Sequence, residues 1–337
     1  MSKEREAGAT LHDPLGHSPA TPTNPGPLVL GCDAGGTKTI CLLASAADGA
    51  ILGRGVGGPG NIHAASAARV AVALTDAIGA AFAAAGVAPE TATVAAAAIG
   101  AAGAARDDDR AAVGRLLREV ITAARYVVTN DAAIALRAAL PTGAGVLLIS
   151  GTGSIGYGRT DDGREIRAGG WGYLLDDAGS AYAVGLAALT AILHAHDGRG
   201  PTTALHGPLL EAWRLSAPEE IIARVYRQPP PREAIAALAP LVLTAARAGD
   251  AVAGGIIAGA GAALGALAVA TIRRLDAAPE TSVPLVTDGG FLRAGEAQLL
   301  PPLLRVVAAH GLRVAQRPAT VEAAHGAVAL AREMLNG

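Results

Sequence analysis

Apolar residues recur with a strand-like rhythm in two separate blocks of this chain. Residues 28–58 (LVLGCDAGGTKTICLLASAADGAILGRGVGG) and 146–170 (VLLISGTGSIGYGRTDDGREIRAGG) share one order: strand, Gly/Thr turn, strand, Asp-Gly turn, strand, Gly-Gly. Gly35-Gly36-Thr37 corresponds to Gly151-Thr152-Gly153-Ser154, and Asp48-Gly49 to Asp162-Gly163. The pattern predicts strands at 27–32, 39–44 and 50–56, repeated as three more from 146 to 170. In the first half a helix over 62–85, a buried strand at 93–99, a helix over 107–121 capped by aspartates, a strand at 126–129 and a helix to 139 follow. Helices at 180–195, 205–213, 218–225, 232–247 and 251–275 follow in the second half. Then come strands at 283–287 and 311–315 and a closing helix at 321–335. Three strands followed by alternating helix and strand, twice over, predict an α/β fold of two duplicated domains around a cleft.

Length and composition fit that reading. At 337 residues the chain suits two cores better than one. Half of it is hydrophobic but only 3% is aromatic, so the cores must be aliphatic and the backbones must approach closely. The Pro-Thr-Gly at 141–143 marks the boundary. The expected organisation is a polar, disordered tail over 1–27, an N-terminal lobe over 28–141, and a C-terminal lobe over 142–320. The closing helix within 321–337 is expected to pack on the first lobe.

Charge and cysteine content narrow the function. A net charge of −2 without a basic run gives no nucleic-acid footprint. The tail lacks the apolar core of a signal peptide, and no run combines the length and freedom from glycine and charge of a membrane span. Residues 251–272 come nearest and suit a tightly packed soluble helix. Cys32 and Cys41, the only cysteines, form neither a disulfide framework nor a metal spacing, and fit a reduced cytoplasm.

The candidate chemistry lies at strand ends. The first turn is not a P-loop: its order is Gly-Thr-Lys-Thr, and strand rather than helix follows. As a hairpin, its glycines would let backbone N–H groups approach a phosphate. Lys38, the only lysine besides Lys3, is either a phosphate contact or chance in a lysine-poor chain. Asp33 could accept from hydrated Mg²⁺ beside those phosphates. Alone, such a turn would read as a structural hairpin; two matched turns favour a phosphate cradle. The Gly151–Gly156 stretch satisfies GxGxxG, yet Tyr157–Gly163 reads as strand and turn, which excludes a dinucleotide-binding helix. Asn130-Asp131 joins a buried strand to a helix, a junction that faces the ligand in open α/β sheets but is equally a helix cap. Asp107-Asp108-Asp109-Arg110 reads as a solvated helix start, and His194-Ala195-His196-Asp197 as a polar helix end rather than a metal site. Asp176-Asp177 is either a cleft carboxylate pair or another cap.

Taken in order, GCDAGGTKT, NDA, LLISGTGSIG, RAGGWGYLLDDAGSAY and VTDGGF resemble the BadF/BadG/BcrA/BcrD-type ATPases over about residues 28–335. Within that family they resemble the N-acetylglucosamine kinases. The resemblance implies duplicated actin-like (ribonuclease H-like) ATPase domains and transfer of the ATP γ-phosphoryl group to the 6-hydroxyl of an amino sugar. N-acetylglucosamine is favoured, with glucosamine, glucose or another hexose, or a muramic-type sugar, behind it. Gly35, Gly36, Thr37 and Lys38, with Gly151, Thr152, Gly153 and Ser154, would grip ATP. Asp33 would stand near Mg²⁺, and Gly289-Gly290 of Asp288-Gly289-Gly290 would line the adenosine side. Asp131 matches the catalytic carboxylate, while Asn61, Asn130, Gly170, Trp171 and Asp177 match the sugar pocket. A cytoplasmic enzyme is implied, and a homodimer is expected by analogy. Two departures touch the sugar side: Asp176-Asp177-Ala178-Gly179-Ser180 replaces Gly-Asp-Glu-Gly-Ser, and Ala104 stands where some sugar kinases carry an aspartate. Activator ATPases of CoA-ester dehydratases share the ATPase halves but need cluster cysteines that this chain lacks after Cys41. A non-catalytic sugar sensor is disfavoured by the intact Asp33, Asp131 and hairpins.

Overall fold

The structure, a computed structural model, describes residues 26–104, 106–227, 229–278 and 280–336; most of the expected tail lies outside them. Strands β1 (Leu28–Ala34), β2 (Thr39–Ser45), β3 (Ile51–Gly57), β4 (Val94–Ala101) and β5 (Arg125–Asn130) form one sheet in the order β3-β2-β1-β4-β5. Strands β6 (Gly145–Ser150), β7 (Ser154–Arg159), β8 (Glu165–Gly169), β9 (Ser282–Asp288) and β10 (Arg313–Pro318) repeat that order as β8-β7-β6-β9-β10. In both sheets the first three strands are antiparallel and the last two join in parallel. The duplicated α/β architecture read from the sequence is therefore present.

Alternation along β1 feeds two cores. Leu28, Leu30 and Cys32 pack with Val70, Leu74 and Phe82 of helix α1 (Ala67–Ala85) and with Val113 and Leu117 of α2 (Asp107–Val120). Val29 points the other way, into a core with Ile134 of α3 (Asp131–Ala139) and Ala324, Ala327 and Val328 of α12 (Ala323–Asn336). Buried on both faces, β1 and β2 read as continuous apolar runs. Between the sheets, Ala132, Ala135 and Leu136 of α3 meet Leu147, Tyr157 and Val286 of the second sheet. The last helix thus returns to the first sheet.

The scarcity of aromatics has the expected consequence. A Cβ on Gly53, Gly55 or Gly57 of β3 would lie only 2.0, 1.9 or 2.0 Å from the carbonyl oxygens of Ala81, Ala77 or Ala73. Alternate glycines let α1 lie against the strand backbone.

Several helices differ from expectation. Residues 62–65 form turns, and α1 begins only after Ser66, whose Oγ accepts from the Arg69 N–H. The aspartates of α2 fill its first turn while Arg106 holds the cap position without a side-chain bond. The helix expected at 218–225 is one short turn, α6 (Glu220–Ile222), running into a wider turn at Ala223–Arg227. The one expected at 232–247 breaks into α7 (Arg232–Ala236) and α8 (Ala239–Arg247), with Pro240 in the first turn of α8. After α4 (Ala181–His196), α5 (His206–Trp213) and α9 (Ala251–Ile272), two unexpected helices appear: α10 (Gly290–Ala294) and α11 (Glu296–Ala309). Both α1 and the 251–275 segment are long and apolar enough to cross a membrane by length and composition, although only the second was singled out from the sequence. In the fold α1 packs on β3 and β2, and α9 on α11 and the second sheet.

Candidate active site

Asp33 lies at the C-terminal end of β1, half-buried, and Gly35–Lys38 form the turn to β2. That turn is closed by Gly35 N–H donating to the Lys38 carbonyl at 3.0 Å. The Gly60 N–H donates to the Gly35 carbonyl at 2.9 Å, so the Gly-Pro-Gly-Asn segment sits on the turn. Gly36, Thr37 and Lys38 remain exposed. Burial and the carboxylates of Asp131, Asp288 and Glu322 push the Asp33 carboxyl up to about 7, with Lys38 opposing them. Carboxylates of both lobes therefore act electrostatically on Asp33.

Asp131 opens α3 directly after β5. Asn130 is the helix cap, its Oδ1 accepting from the Ala133 N–H at 2.8 Å, which frees Asp131 from capping. The Asp131 Oδ1 accepts from the Ala132 N–H at 3.0 Å. Burial raises its pKa above the usual carboxylate value, and the Ala132 N–H partly offsets the rise.

Asp131 borders a cleft of about 410 Å³ between the lobes. Asn130, Ala104 and Arg110 line it from the first lobe, and Tyr157, Glu165, Arg167 and Gly170 from the second. The Tyr157 hydroxyl lies between Asn130 and Glu165, and burial with the Glu165 charge raises its pKa. Arg167 donates to the carbonyls of Gly169 (3.2 Å) and Gly170 and lies over the Trp171 ring, 5.0 Å from its centroid. Trp171 itself is 67% exposed. Asn61 is near the same end: its Oδ1 accepts from the His63 N–H at 2.9 Å, and His63 Nε2 lies 3.2 Å from the Gly103 carbonyl and 3.4 Å from Asp109.

The second Gly-rich turn is backed by the 177–180 loop. Ser150 Oγ donates to the Gly179 carbonyl (2.8 Å), Ser154 Oγ to the Ala178 carbonyl (2.9 Å), and the Ala181 N–H to the Gly151 carbonyl (2.9 Å). Asp177 is buried, with a positive φ of 60°, and accepts from the Ser154 N–H at 3.4 Å. It therefore backs the turn at Gly153-Ser154 and is not among the residues lining the Asp131 cleft. Burial raises its pKa. Gly289 sits against the same turn with φ 101°, and a Cβ there would be 2.2 Å from the Ser150 carbonyl oxygen. Gly290 begins α10 beside it, and Asp288 is paired with Arg293.

The sequence reading missed Arg110, Tyr157, Glu165, Arg167 and the His63–Asp109 contact. Periodicity assigned Arg110 and Asp109 to a solvated helix start. Glu165 and Arg167 alternate along the edge strand β8, where an inward polar residue is the signal that would have found them, and Tyr157 of β7 lies opposite Arg167. His196 contacts Glu219 at 3.1 Å. Among the described residues no group of three His, Cys, Asp or Glu side chains is placed to hold a metal. Cys32 and Cys41 face each other across β1 and β2, both buried, away from any surface that a cluster shared between subunits would need.

Comparison with known proteins places this geometry. The model of the BadF/BadG/BcrA/BcrD ATPase family matches residues 30–331. The chain is 34% identical over 264 residues to N-acetylmuramic acid/N-acetylglucosamine kinase of Clostridium acetobutylicum, covering 78% of this chain and 85% of that one. It is also 34% identical over 201 residues to N-acetyl-D-glucosamine kinase of Dictyostelium discoideum, covering 59% and 63% respectively. Among solved structures, a Chromobacterium violaceum protein proposed to be an N-acetylglucosamine kinase aligns with a TM-score of 0.72 at 28% identity. That alignment covers 90% of this chain and 98% of the other.

Proposed function

The chain belongs to the BadF/BadG/BcrA/BcrD ATPase family, and we propose that it is an ATP-dependent kinase acting on the 6-hydroxyl of an amino sugar, N-acetylglucosamine or a close derivative. The observation that carries this reading is Asp131: a half-buried carboxylate, relieved of capping by Asn130, on a cleft between two lobes that each present a Gly-rich hairpin. In this reading Asp131 accepts the proton of the attacking hydroxyl. The N–H groups of Gly35–Lys38 and Gly151–Ser154 hold the phosphates of ATP, Lys38 adds charge to them, and Gly289-Gly290 borders the adenosine. Asn61, Asn130, Gly170 and Trp171 orient the sugar. Asp177, behind Gly153-Ser154, reaches the sugar only through that turn, so its substrate role is the least direct of the set.

Mg²⁺ fits the residues present. It is usually held by one or two carboxylates together with substrate phosphates, and the acid-crowded Asp33, raised to about 7, is a place where added positive charge is favourable. Asp33 would hold the ion, which when bound neutralises phosphate charge. Residues 28–141, with the helix of 321–337 laid on them, form one lobe of this reading and 142–320 the other. Cytoplasmic location, where ATP and reduced thiols coexist, and a homodimer belong to the same proposal. A coupled assay of ADP release against a panel of sugars tests it. Sugar-dependent release supports the kinase, sugar-independent release points to an activator-type ATPase, and no release to a sensor.

A further inference from the structure

A guanidinium that nothing in the sugar reading uses stands on the Asp131 cleft. Arg110 lines that cleft together with Tyr157 and Glu165, and the same three residues line an adjoining cavity of about 370 Å³ that also carries Arg137 and Arg159. Neutral sugar hydroxyls are met well by carboxylates, amides and backbone groups, whereas the planar fork of arginine matches a carboxylate with two parallel bonds.

The other charges nearby have partners of their own. Arg167 is committed to the carbonyls of Gly169 and Gly170 and to the Trp171 face. Arg137 pairs with Glu333, and Arg159 donates to the carbonyls of Leu140 and Gly143. Asp109 faces His63, and Glu165 faces the Tyr157 hydroxyl. The only side-chain partner of Arg110 among the described residues is Asp107, at 3.0 Å. The Asp107 side chain is 97% exposed. Such a pair in water is worth about 0–1 kcal/mol, so a ligand carboxylate in the cleft can displace it.

Resting on the kinase reading, we infer that Arg110 selects an acidic amino sugar, binding a carboxylate on a substituent that extends from the Asp131 cleft toward the cavity of Arg137 and Arg159. Arg110 then sets specificity while Asp131 serves the hydroxyl.

The test compares kcat/KM for N-acetylmuramic acid, whose ether-linked lactate carries a carboxylate, with that for N-acetylglucosamine. It uses the full chain as wild type, Arg110→Gln and Arg110→Lys. Wild type is expected to phosphorylate the acidic sugar. Arg110→Gln should lower the acidic-to-neutral ratio at least about tenfold, through KM of the acidic sugar, and Arg110→Lys should restore part of it because the charge returns without the fork. Unchanged melting temperatures confirm folding. An unchanged ratio in Arg110→Gln overturns the inference, as does a wild type that uses N-acetylglucosamine alone; both leave the kinase reading intact. Turnover of neither sugar removes both.

Discussion

A single side chain carries most of the chemistry proposed here. Asp131→Asn keeps the shape of the cleft and removes the base, so sugar-dependent ADP release should fall by roughly 10²–10⁴-fold while ATP binding, read by calorimetry, persists. Near-normal turnover would remove Asp131 from the reaction. Burial raises the pKa of this carboxyl, and a base must be deprotonated to act. Activity should accordingly decline on acidification about a midpoint above ~4, the ordinary carboxylate value. A pH profile of kcat/KM whose acidic limb lies at or below that value contradicts the assignment. The position of Asn130 and Asp131 at a strand-to-helix junction was legible in the sequence, but the junction alone left cap and cleft base equally open, and the base role was implied only by the family resemblance. Arg110 was not, because a helix start dense with aspartates looks solvated until the second sheet is placed opposite it. Asp177 stayed open between a cleft carboxylate and a cap, with a sugar-pocket role implied by the resemblance, and the fold turns it beneath Gly153-Ser154.

At the level of elements, capping and close approach decide what the chain tolerates. Asn130→Ala removes the cap of α3 and should cost about 1 kcal/mol of stability, measured by urea unfolding; no change would mean that packing on α12 alone sets the start of the helix. Gly289→Ala would drive a Cβ into the Ser150 carbonyl from a backbone with φ 101°. ATP affinity should weaken by roughly tenfold or more, ~1.4 kcal/mol, in calorimetric titration, and unaltered affinity would detach this turn from the nucleotide. The strands of both sheets could be read closely because apolar runs between Gly-rich turns are unambiguous. Helix α11 could not, since Pro301 and Pro302 lie inside it and proline ordinarily ends a helix. A Cβ on Gly261 of α9 would meet Pro302 at 2.5 Å, so tertiary packing holds these prolines where local preference would not. The helix expected from residue 62 failed for the opposite reason. His63 bonds back to Asn61, and this turn chemistry outweighs alanine propensity until Ser66 caps.

On the scale of the molecule, two lobes with matching strand order face one cleft, and catalysis would require them to close on both substrates. Trp171 and Trp213 are the only tryptophans. In a Trp213→Phe protein, emission would report the exposed Trp171 alone, between Gly170 and Gly172, both at positive φ. Joint addition of a non-hydrolysable ATP analogue and sugar should shift that emission to shorter wavelength; an unmoved spectrum would argue that Trp171 stays outside the ligand site. The duplication was evident in the sequence because both halves spell the same turns. The route of the last helix depended on contacts between residues some 300 positions apart. Because α12 supplies Ala324, Ala327 and Val328 to the core behind β1, a nascent chain leaving the ribosome would present the first lobe with a bare flank until residues 323–336 emerged. The second lobe, whose strands β6 to β10 all precede that helix, would be finished first, and the lobe synthesised earlier would be the later to mature.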